Sequence, residues 1–204
     1  GNIQAAPGGT AGVGGNINLT NDVDITTTGI DAHGIFVKSS AGQGGQGGSG
    51  YIFSGGGFGG SAAQAGTVSV FNFGKIITTG AYSIGIQAQS LGGRAGDGGS
   101  SFGFVGNGGG GSSGGDGSTV LVENHNEIDT GGDFAHGILA QSIGGSGGNG
   151  GESGGLVSYG DSGGAGGNGG DVTVTNFGLI TTQGNSARGI FAVVWNQGDE
   201  DRPD

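Results

Sequence analysis

The side chains of this sequence that are best suited to chemistry are two clusters of carboxylates and two histidines. One cluster lies in the middle of the chain and the other near its start: Glu123, Glu127, Asp129 and Asp133, and Asp22, Asp24 and Asp31. The histidines are His33 and His136. Paired carboxylates on one face can act as general acid and base in polysaccharide cleavage, as can a base beside a bound metal. They form a site only if the elements that carry them bring them together.

A repeat of 51 or 52 residues sets the position of each of these side chains. Four asparagines mark it, and each defines offset zero of one unit: Asn21, Asn72, Asn124 and Asn176. Isoleucine recurs at offsets +4 and +14: Ile25, Ile76, Ile128 and Ile180, and Ile35, Ile86, Ile138 and Ile190. Aliphatic residues occupy offsets −4 and −2, threonine +6 and glycine +8 in every unit. Such a period is typical of proteins whose units stack on one another.

These recurring positions have even offsets, which is the period of a β-strand with one face inward. The pattern predicts three short strands per unit, over offsets −4 to 0, +4 to about +8 and +14 to about +18. Stacking buries isoleucine on isoleucine and pairs the backbone edges of successive units. The expected fold is an all-β parallel solenoid of four coils over residues 16–195, after a glycine-rich lead-in over residues 1–15.

The parity of each offset also predicts which polar side chains face inward. The asparagines at offset zero are expected to form an amide ladder along the stack, with a ligand-binding row as the alternative. The threonines at +6 are expected to form an inward row of hydroxyls. The carboxylates of the middle cluster have odd offsets, which indicates a solvated acidic face that blocks edge aggregation. His33 and His136 share offset +12 but lie two units apart, so no catalytic or metal site is predicted.

Three glycine-rich segments of about 29 residues separate the strand sets, over residues 41–67, 92–119 and 144–171. Each has a Gly-Gly-X limb, a short apolar tip and a second glycine limb, which is the plan of a hairpin. A period of three fits a polyproline II helix with bare edges that let neighbouring limbs bond to each other. Hairpins leaving successive coils about 4.8 Å apart would then form a polyglycine II array. Irregular loops are the alternative.

The hairpin tips hold most of the aromatic residues outside the coils: Tyr51, Phe53, Phe102, Phe104 and Tyr159. They could form a ridge that contacts other molecules or stacks on sugars. They could also pack together and cap the glycine limbs. We favour packing because an exposed apolar ridge lowers solubility.

Composition excludes several classes of function. Glycine supplies 59 of 204 residues and hydrophobic types only 31%, so an ordinary globular core is not expected. The net charge of −11 disfavours nucleic acid and anionic membranes as partners. The absence of cysteine excludes disulfides and cysteine-ligated zinc. The aspartates do not recur at the spacing of calcium-binding β-rolls, so we expect no metal and no cofactor.

The two ends of the chain carry separate predictions. The first residues lack the features of a signal peptide, so any such peptide or anchor is expected to be removed or to lie outside this fragment. Residues 196–204 are polar and acidic and break the repeat pattern, which suggests either a cap or a linker. Open solenoid ends would favour end-to-end assembly into filaments.

Two segments of the repeat resemble the passenger repeats of glycine-rich bacterial autotransporter (type V secretion) proteins. They are the runs over residues 172–182 and 135–145, VTVTNFGLITT and AHGILAQSIGG. The resemblance covers residues 16–195. It implies a right-handed β-helix, export to the bacterial cell surface and a role in adhesion or surface coating. The signal peptide and the outer-membrane barrel of that family are missing from this chain.

These observations favour a non-enzymatic structural or adhesive protein of the cell surface, a fragment of a larger secreted passenger or fibre. Its expected partners are further copies or neighbouring repeats of the same protein, and a surface glycan or host-cell ligand. One alternative is a protein that binds ice or another ordered surface, since regular threonines and polyglycine bundles both suit flat, repetitive ligands. The other is a polysaccharide-degrading β-helix enzyme.

Overall fold

The computed structural model describes residues 3–197 as an all-β fold of parallel strands, with no helix among them. In chain order the strands are β1 Ile3–Gln4, β2 Ile17–Asn21, β3 Ile25–Thr27, β4 Ile35–Ser40, β5 Gly50–Ile52, β6 Ser54–Gly55, β7 Val68–Asn72, β8 Ile76–Thr78, β9 Ile86–Leu91, β10 Ser101–Asn107, β11 Val120–Asn124, β12 Ile128–Thr130, β13 Ile138–Ile143, β14 Ser153–Tyr159, β15 Val172–Asn176, β16 Ile180–Thr182 and β17 Ile190–Trp195. Residues 198–204, most of the predicted acidic tail, lie outside the described residues.

Three four-stranded parallel sheets form the stack, with one strand of each sheet from each repeat unit. Their orders are β15-β11-β7-β2, β16-β12-β8-β3 and β17-β13-β9-β4. Residues with the same offset pair across every sheet, as Asn72 does with Asn21 on one side and Asn124 on the other. The strands therefore repeat at the same register along the whole stack, which confirms the predicted stacking of parallel strands.

Apolar side chains at even offsets fill the interior of the stack. Val68, Val70, Ile76 and Ile86 are fully buried in the second unit. In the first and last units the side chains of the first and second strands, such as Ile25 and Ile180, pack against this core but are only partly buried. At the third strand Ile35 is buried and Ile190 is 45% exposed. The core is a thin column that grows by one layer with each unit.

The second strand of each unit ends earlier than its pattern predicts, at offset +6 instead of about +8. The glycine at +8 lies against the preceding unit so closely that a Cβ on Gly80 or Gly132 would overlap a carbonyl oxygen there. Two residues later the backbone turns through the left-handed region at a non-glycine residue in every unit: Asp31, Tyr82, Phe134 and Ser186, with φ of 54°, 60°, 57° and 56°. This corner ends the strand.

The glycine-rich segments form a two-layered structure beside the stack, which we call the blade. Its outgoing limbs are residues 41–50, 92–100 and 144–152, and its return limbs are residues 5–16, 55–67, 108–119 and 160–171. Within a layer, parallel limbs bond at every third residue, as in Gly44 N–H to Arg94 O and Gly47 N–H to Asp97 O, both at 2.9 Å. A hydrogen-bond period of three residues is typical of polyglycine II.

Antiparallel bonds join the two layers of the blade with the same period. Gly93, Gly96 and Gly99 of one outgoing limb donate to Ala63, Gly60 and Gly57 of a return limb, at 2.8–3.0 Å. In a limb, two of every three backbone N–H groups therefore donate hydrogen bonds inside the blade. The third residue points its side chain outward. The irregular-loop alternative does not account for this ordered bonding.

The far end of the blade is a three-stranded parallel sheet in the order β14-β10-β5, which we call the tip sheet. It continues the limbs, since Ser101 pairs with Gly50 on one side and Ser153 on the other.

No helix among residues 3–197 has the length and apolar character needed to span a bilayer.

Candidate functional site

The four asparagines at offset zero form a continuous hydrogen-bonded ladder. Asn21, Asn72 and Asn124 each donate from Nδ2 to Oδ1 of the next asparagine at 2.7 Å. The other Nδ2 proton goes to the carbonyl oxygen two residues later, as from Asn72 to Gly74 O at 2.7 Å. Asn72 and Asn124 are fully buried with their amide groups satisfied, so no polar atom is left to face a ligand.

The isoleucine columns and the threonine column are also internal. Ile76, Ile86, Ile128 and Ile138 have no exposed surface. The buried Thr130 hydroxyl donates to the Ala135 carbonyl oxygen at 2.6 Å, and the threonines of the two preceding units repeat the bond. Because these hydroxyls bind the backbone inside the stack, they are not available to order water on an outer surface.

A column of buried serines connects the stack to the blade, and the sequence analysis missed it. Its members stand at offset +18: Ser39, Ser90 and Ser142. The Ser90 hydroxyl donates to Gly66 O and accepts from Ser118 N–H, both at 2.9 Å. Each serine thus ties a third strand to two return limbs. The recurrence of serine at one even offset was the signal that could have revealed it.

The carboxylates of the middle cluster bind different neighbours. Glu127 forms an ion pair of 2.9 Å with Lys75 in the preceding unit, which raises the pKa of that lysine through a hydrogen bond and charge attraction. Asp133 accepts the Asn185 N–H at 2.7 Å. Glu123 lies 3.5 Å from His125. Within residues 3–197 no group of three or more histidine and acidic side chains could hold a metal ion.

Several outward aspartates perform one structural task. Each accepts the backbone N–H of the residue at the same offset in the next unit: Asp24 from Lys75, Asp97 from Asn149, Asp116 from Asn168 and Asp133 from Asn185, at 2.7–2.8 Å. These bonds satisfy N–H groups that point outward from the stack and from the blade. Asp97 also forms an ion pair of 3.3 Å with Arg94. Each of these carboxylates therefore holds the backbone of a neighbouring unit.

The two histidines at offset +12 are also bound to the backbone of a neighbouring unit. Nδ1 of His33 accepts the Ile84 N–H, and Nδ1 of His136 accepts the Arg188 N–H, each at 3.0 Å. Both nitrogens must be unprotonated to accept. Partial burial and the nearby charge of Arg188 lower the pKa of His136. The two residues do not meet, so they form no joint metal or catalytic site.

Stacked aromatic rings run along the outside of the stack, a feature that the sequence analysis did not identify. His125 lies between Phe73 and Phe177 at offset +1, with ring centroids 4.6 and 4.8 Å apart. Tyr82 stacks on Phe134 at 5.2 Å. The two columns stand at offsets +1 and +10, and the residue types vary along both. Because the rings stack face to face, mainly their edges remain exposed to a ligand.

An open groove of about 460 Å³ lies on the blade. Its lining consists of glycines, Ser146, Arg94, Asn149 and Gln197, with no carboxylate. The residues that line this groove therefore offer no pair of carboxylates for glycoside cleavage.

The tip sheet carries a group of exposed apolar side chains. Its predicted contact residues are Tyr51, Phe53, Phe102, Phe104 and Tyr159, and each is between 48 and 68% exposed. Of the packing that we expected to cap the limbs, the structure has one tilted pair among these rings, Phe53 and Phe104 at 6.5 Å. The limbs need no cap because backbone bonds already close them. The rings stand free on both faces of the sheet.

Comparison with known proteins adds little to this geometry. No family model matches the chain, and no curated protein matches it. A solved structure with some similarity is a springtail antifreeze protein from Granisotoma rainieri, described as a bundle of nine polyproline type II helices whose crystal waters match the ice lattice. It is 23% identical, the match covers 85% of this chain and 98% of that one, and the TM-score is 0.24. At that score the similarity carries no argument about fold or function.

Proposed function

We propose that this chain is a non-enzymatic structural and adhesive module of the bacterial cell surface, part of a larger secreted passenger or fibre. In this proposal the strands form a right-handed solenoid of four coils that serves as a rod. The glycine blade projects from the rod and holds an adhesive tip. The observation that carries the proposal is the exposed apolar tip sheet at the far end of a blade cross-linked by backbone hydrogen bonds.

The tip sheet is unusual for a parallel sheet, because parallel sheets are normally covered on both faces. Ile52, Leu156 and Tyr159 are 67, 78 and 66% exposed, and other apolar side chains of the tip sheet are also exposed. Contiguous apolar surface of this kind marks interaction sites on soluble proteins. Exposed aromatic rings also offer flat apolar faces with polar handles on the tyrosines, which suits a glycan of a host surface.

The rest of the molecule supports a display role over catalysis. Four of the seven carboxylates that could act as acid and base have such partners: Asp24 and Asp133 accept backbone N–H groups, and Glu127 and Glu123 lie against Lys75 and His125. The threonines that would suit an ice-binding face bind the backbone inside the stack. These groups bind the backbone or a neighbouring side chain of the stack, whereas the aromatic rings of the tip sheet are largely exposed.

The test is binding of the purified chain to a glycan array and to host-type cell surfaces. The tip variant replaces Tyr51, Phe104 and Tyr159 with serine. The control variant makes the same change to serine at Phe36, Tyr82 and Phe134. These are aromatic residues of the stack that are 46–55% exposed. Removal of apolar contact residues at the centre of an interface weakens binding at least about tenfold, so we expect that loss in the tip variant alone. Equal binding by both variants, or no binding by the parent chain, would overturn the proposal.

The same samples test the two alternatives directly. Thermal hysteresis in the parent chain would support an ice-binding protein. Release of new sugar ends from acidic or neutral polysaccharides would support an enzyme. Neither activity is expected, and both assays are independent of the tip substitutions.

A further inference from the structure

One aromatic ring of the tip sheet occupies space that a glycine leaves open. Phe102 pairs in register with Tyr51 on one side and with Gly154 on the other, so the three residues form one row on the same face of the sheet. A Cβ built on Gly154 would lie 2.9 Å from Cδ1 and 3.3 Å from Cε1 of Phe102. The ring therefore lies against bare backbone, and Phe102 is still 48% exposed.

The turn after Tyr51 holds this residue in place beside Phe102. The Ser54 hydroxyl accepts the Tyr51 N–H at 2.9 Å, and the Ser101 hydroxyl donates to Ser54 O at 2.7 Å. Ile52 has a φ of 68°, in the left-handed region where a β-branched residue is strained. Strained residues that the surrounding structure holds in place cluster at ligand-binding sites. The row of two rings is thus fixed by the backbone on both sides.

The tip is free of charged side chains in a chain whose net charge is −11. Residues 50–60, 101–111 and 153–160 contain no aspartate, glutamate, lysine, arginine or histidine. The charged residues nearest to these segments in the sequence are Glu152 and Asp161, one on each side of β14. Both are acidic, so an acidic ligand would be repelled there and a neutral one would not.

We propose that the ligand of the tip is a neutral glycan, and that one of its sugar rings stacks on Phe102 with Tyr51 beside it. This inference rests on the proposed function, and it names the ligand class and the residue that carries the stacking. One face of a pyranose ring presents C–H groups, which pack against the negative face of an aromatic ring. The Tyr51 hydroxyl can donate to and accept from sugar hydroxyls. Stacking of this kind needs a flat ring, so an aliphatic side chain does not replace it.

The experiment compares Phe102→Leu with Phe102→Tyr on the glycans that the parent chain binds. Leucine keeps an apolar side chain but removes the flat ring, whereas tyrosine keeps the ring. Phe58→Leu is the matched control, because the Phe58 ring lies in the same way against Gly110, on the return limbs outside the tip sheet. A Cβ on Gly110 would lie 3.2 Å from Cδ1 of Phe58.

We expect Phe102→Leu to bind at least about tenfold more weakly than the parent chain. Phe102→Tyr and Phe58→Leu are expected to bind as the parent does, and all three variants should keep its melting temperature. Glycan binding that Phe102→Leu retains, or that Phe58→Leu loses to the same extent, overturns the stacking site and leaves the proposed function standing. A parent chain that binds no glycan overturns both.

Pairs of array glycans that differ by one terminal sialic acid test the ligand class. The parent chain is expected to bind the neutral member more tightly, and to bind it equally at low and high salt, since salt screens only interactions between charges. Glu152→Gln should bring the acidic member closer in affinity and leave the neutral one unchanged. Tighter binding of the acidic members overturns the neutral class. Binding of the parent chain to zwitterionic lipid vesicles without glycans would assign the tip to a lipid surface and overturn the inference.

Discussion

The strand stack and the glycine blade are built from the same repeat but are held together in opposite ways. In the stack, side chains such as Val122 and Ile128 fill the interior, and none of their surface is exposed. In the blade the interior consists of backbone with a few small side chains such as the buried Ala63 and Ala95, and bonds such as Gly96 N–H to Gly60 O join the layers. The stack therefore depends on large apolar side chains that fill its interior. The blade depends on glycines, whose lack of a side chain lets the limbs approach closely.

The two regions are coupled where the serine column joins them. Ser90 is fully buried and binds one return limb through its hydroxyl proton and another through its oxygen. The stack sets the spacing of the limbs, and the limbs in turn cover one flank of the third strands. Substitutions in each region test whether side-chain packing stabilises the stack and close backbone contacts stabilise the blade.

The largest effect is expected for Gly96→Ala at the centre of the blade. The added Cβ would overlap the carbonyl oxygen of Gly45, and backbone on both sides prevents relief. Overpacking against fixed backbone belongs among the rare substitutions that cost more than about 4 kcal/mol. We expect Gly96→Ala to lose the cooperative unfolding transition in urea, or to shift its midpoint most. Gly131→Ala, which meets no close atom, is the control, and equal midpoints for the two would contradict a close-packed blade.

The next largest effect is expected for Ile128→Ala in the middle of the stack. Deletion of a fully buried isoleucine side chain removes apolar contacts and leaves a cavity, at a cost of about 2–5 kcal/mol. Ile180 has the same offset but lies in the last unit and is only partly buried. Ile180→Ala should cost clearly less in the same urea titration. A similar loss for both would contradict the difference in burial between the two positions.

A smaller effect is expected when the asparagine ladder is cut at Asn124. Asn124→Ala leaves Nδ2 of Asn72 and Oδ1 of Asn176 without their partners. An unsatisfied buried polar group costs about 1–3 kcal/mol. Asn176→Ala leaves only one inner partner unsatisfied, Nδ2 of Asn124, so it should cost less. Equal stability of Asn124→Ala and the parent chain would show that water replaces the ladder.

Parts of this architecture follow from the sequence because every unit repeats the same residue type at the same even offset. Asparagine, isoleucine and threonine do so, and stacked parallel strands follow from their period. The strand end at +6 does not follow, because it depends on the close approach of Gly80 to the preceding unit. The outer columns were missed since their members differ in type: Asp22, Phe73, His125 and Phe177 share offset +1.

The blade was predictable in plan but not in detail. The Gly-Gly-X period indicates limbs that can approach closely, and the hairpin plan indicates their direction. The pairing of outgoing with return limbs depends on the Ser39, Ser90 and Ser142 attachments, which are long-range contacts between residues 24 to 28 positions apart. The exposure of the tip aromatics depends on how the limbs end. Neither feature has a local signal in the sequence.

The smallest effect is expected from the protonation of His136, whose contact belongs to the stack. Its pKa is lowered in the folded chain by partial burial and by Arg188, and Nδ1 must stay unprotonated to accept the Arg188 N–H. The unfolded chain therefore binds more protons, so stability rises with pH through the window below about 6.5 and falls as acid is added. His136→Asn keeps an acceptor that does not titrate. Urea midpoints between about pH 7.5 and pH 5 should fall further for the parent chain than for His136→Asn. Parallel curves would show that this histidine does not couple the last two units to pH.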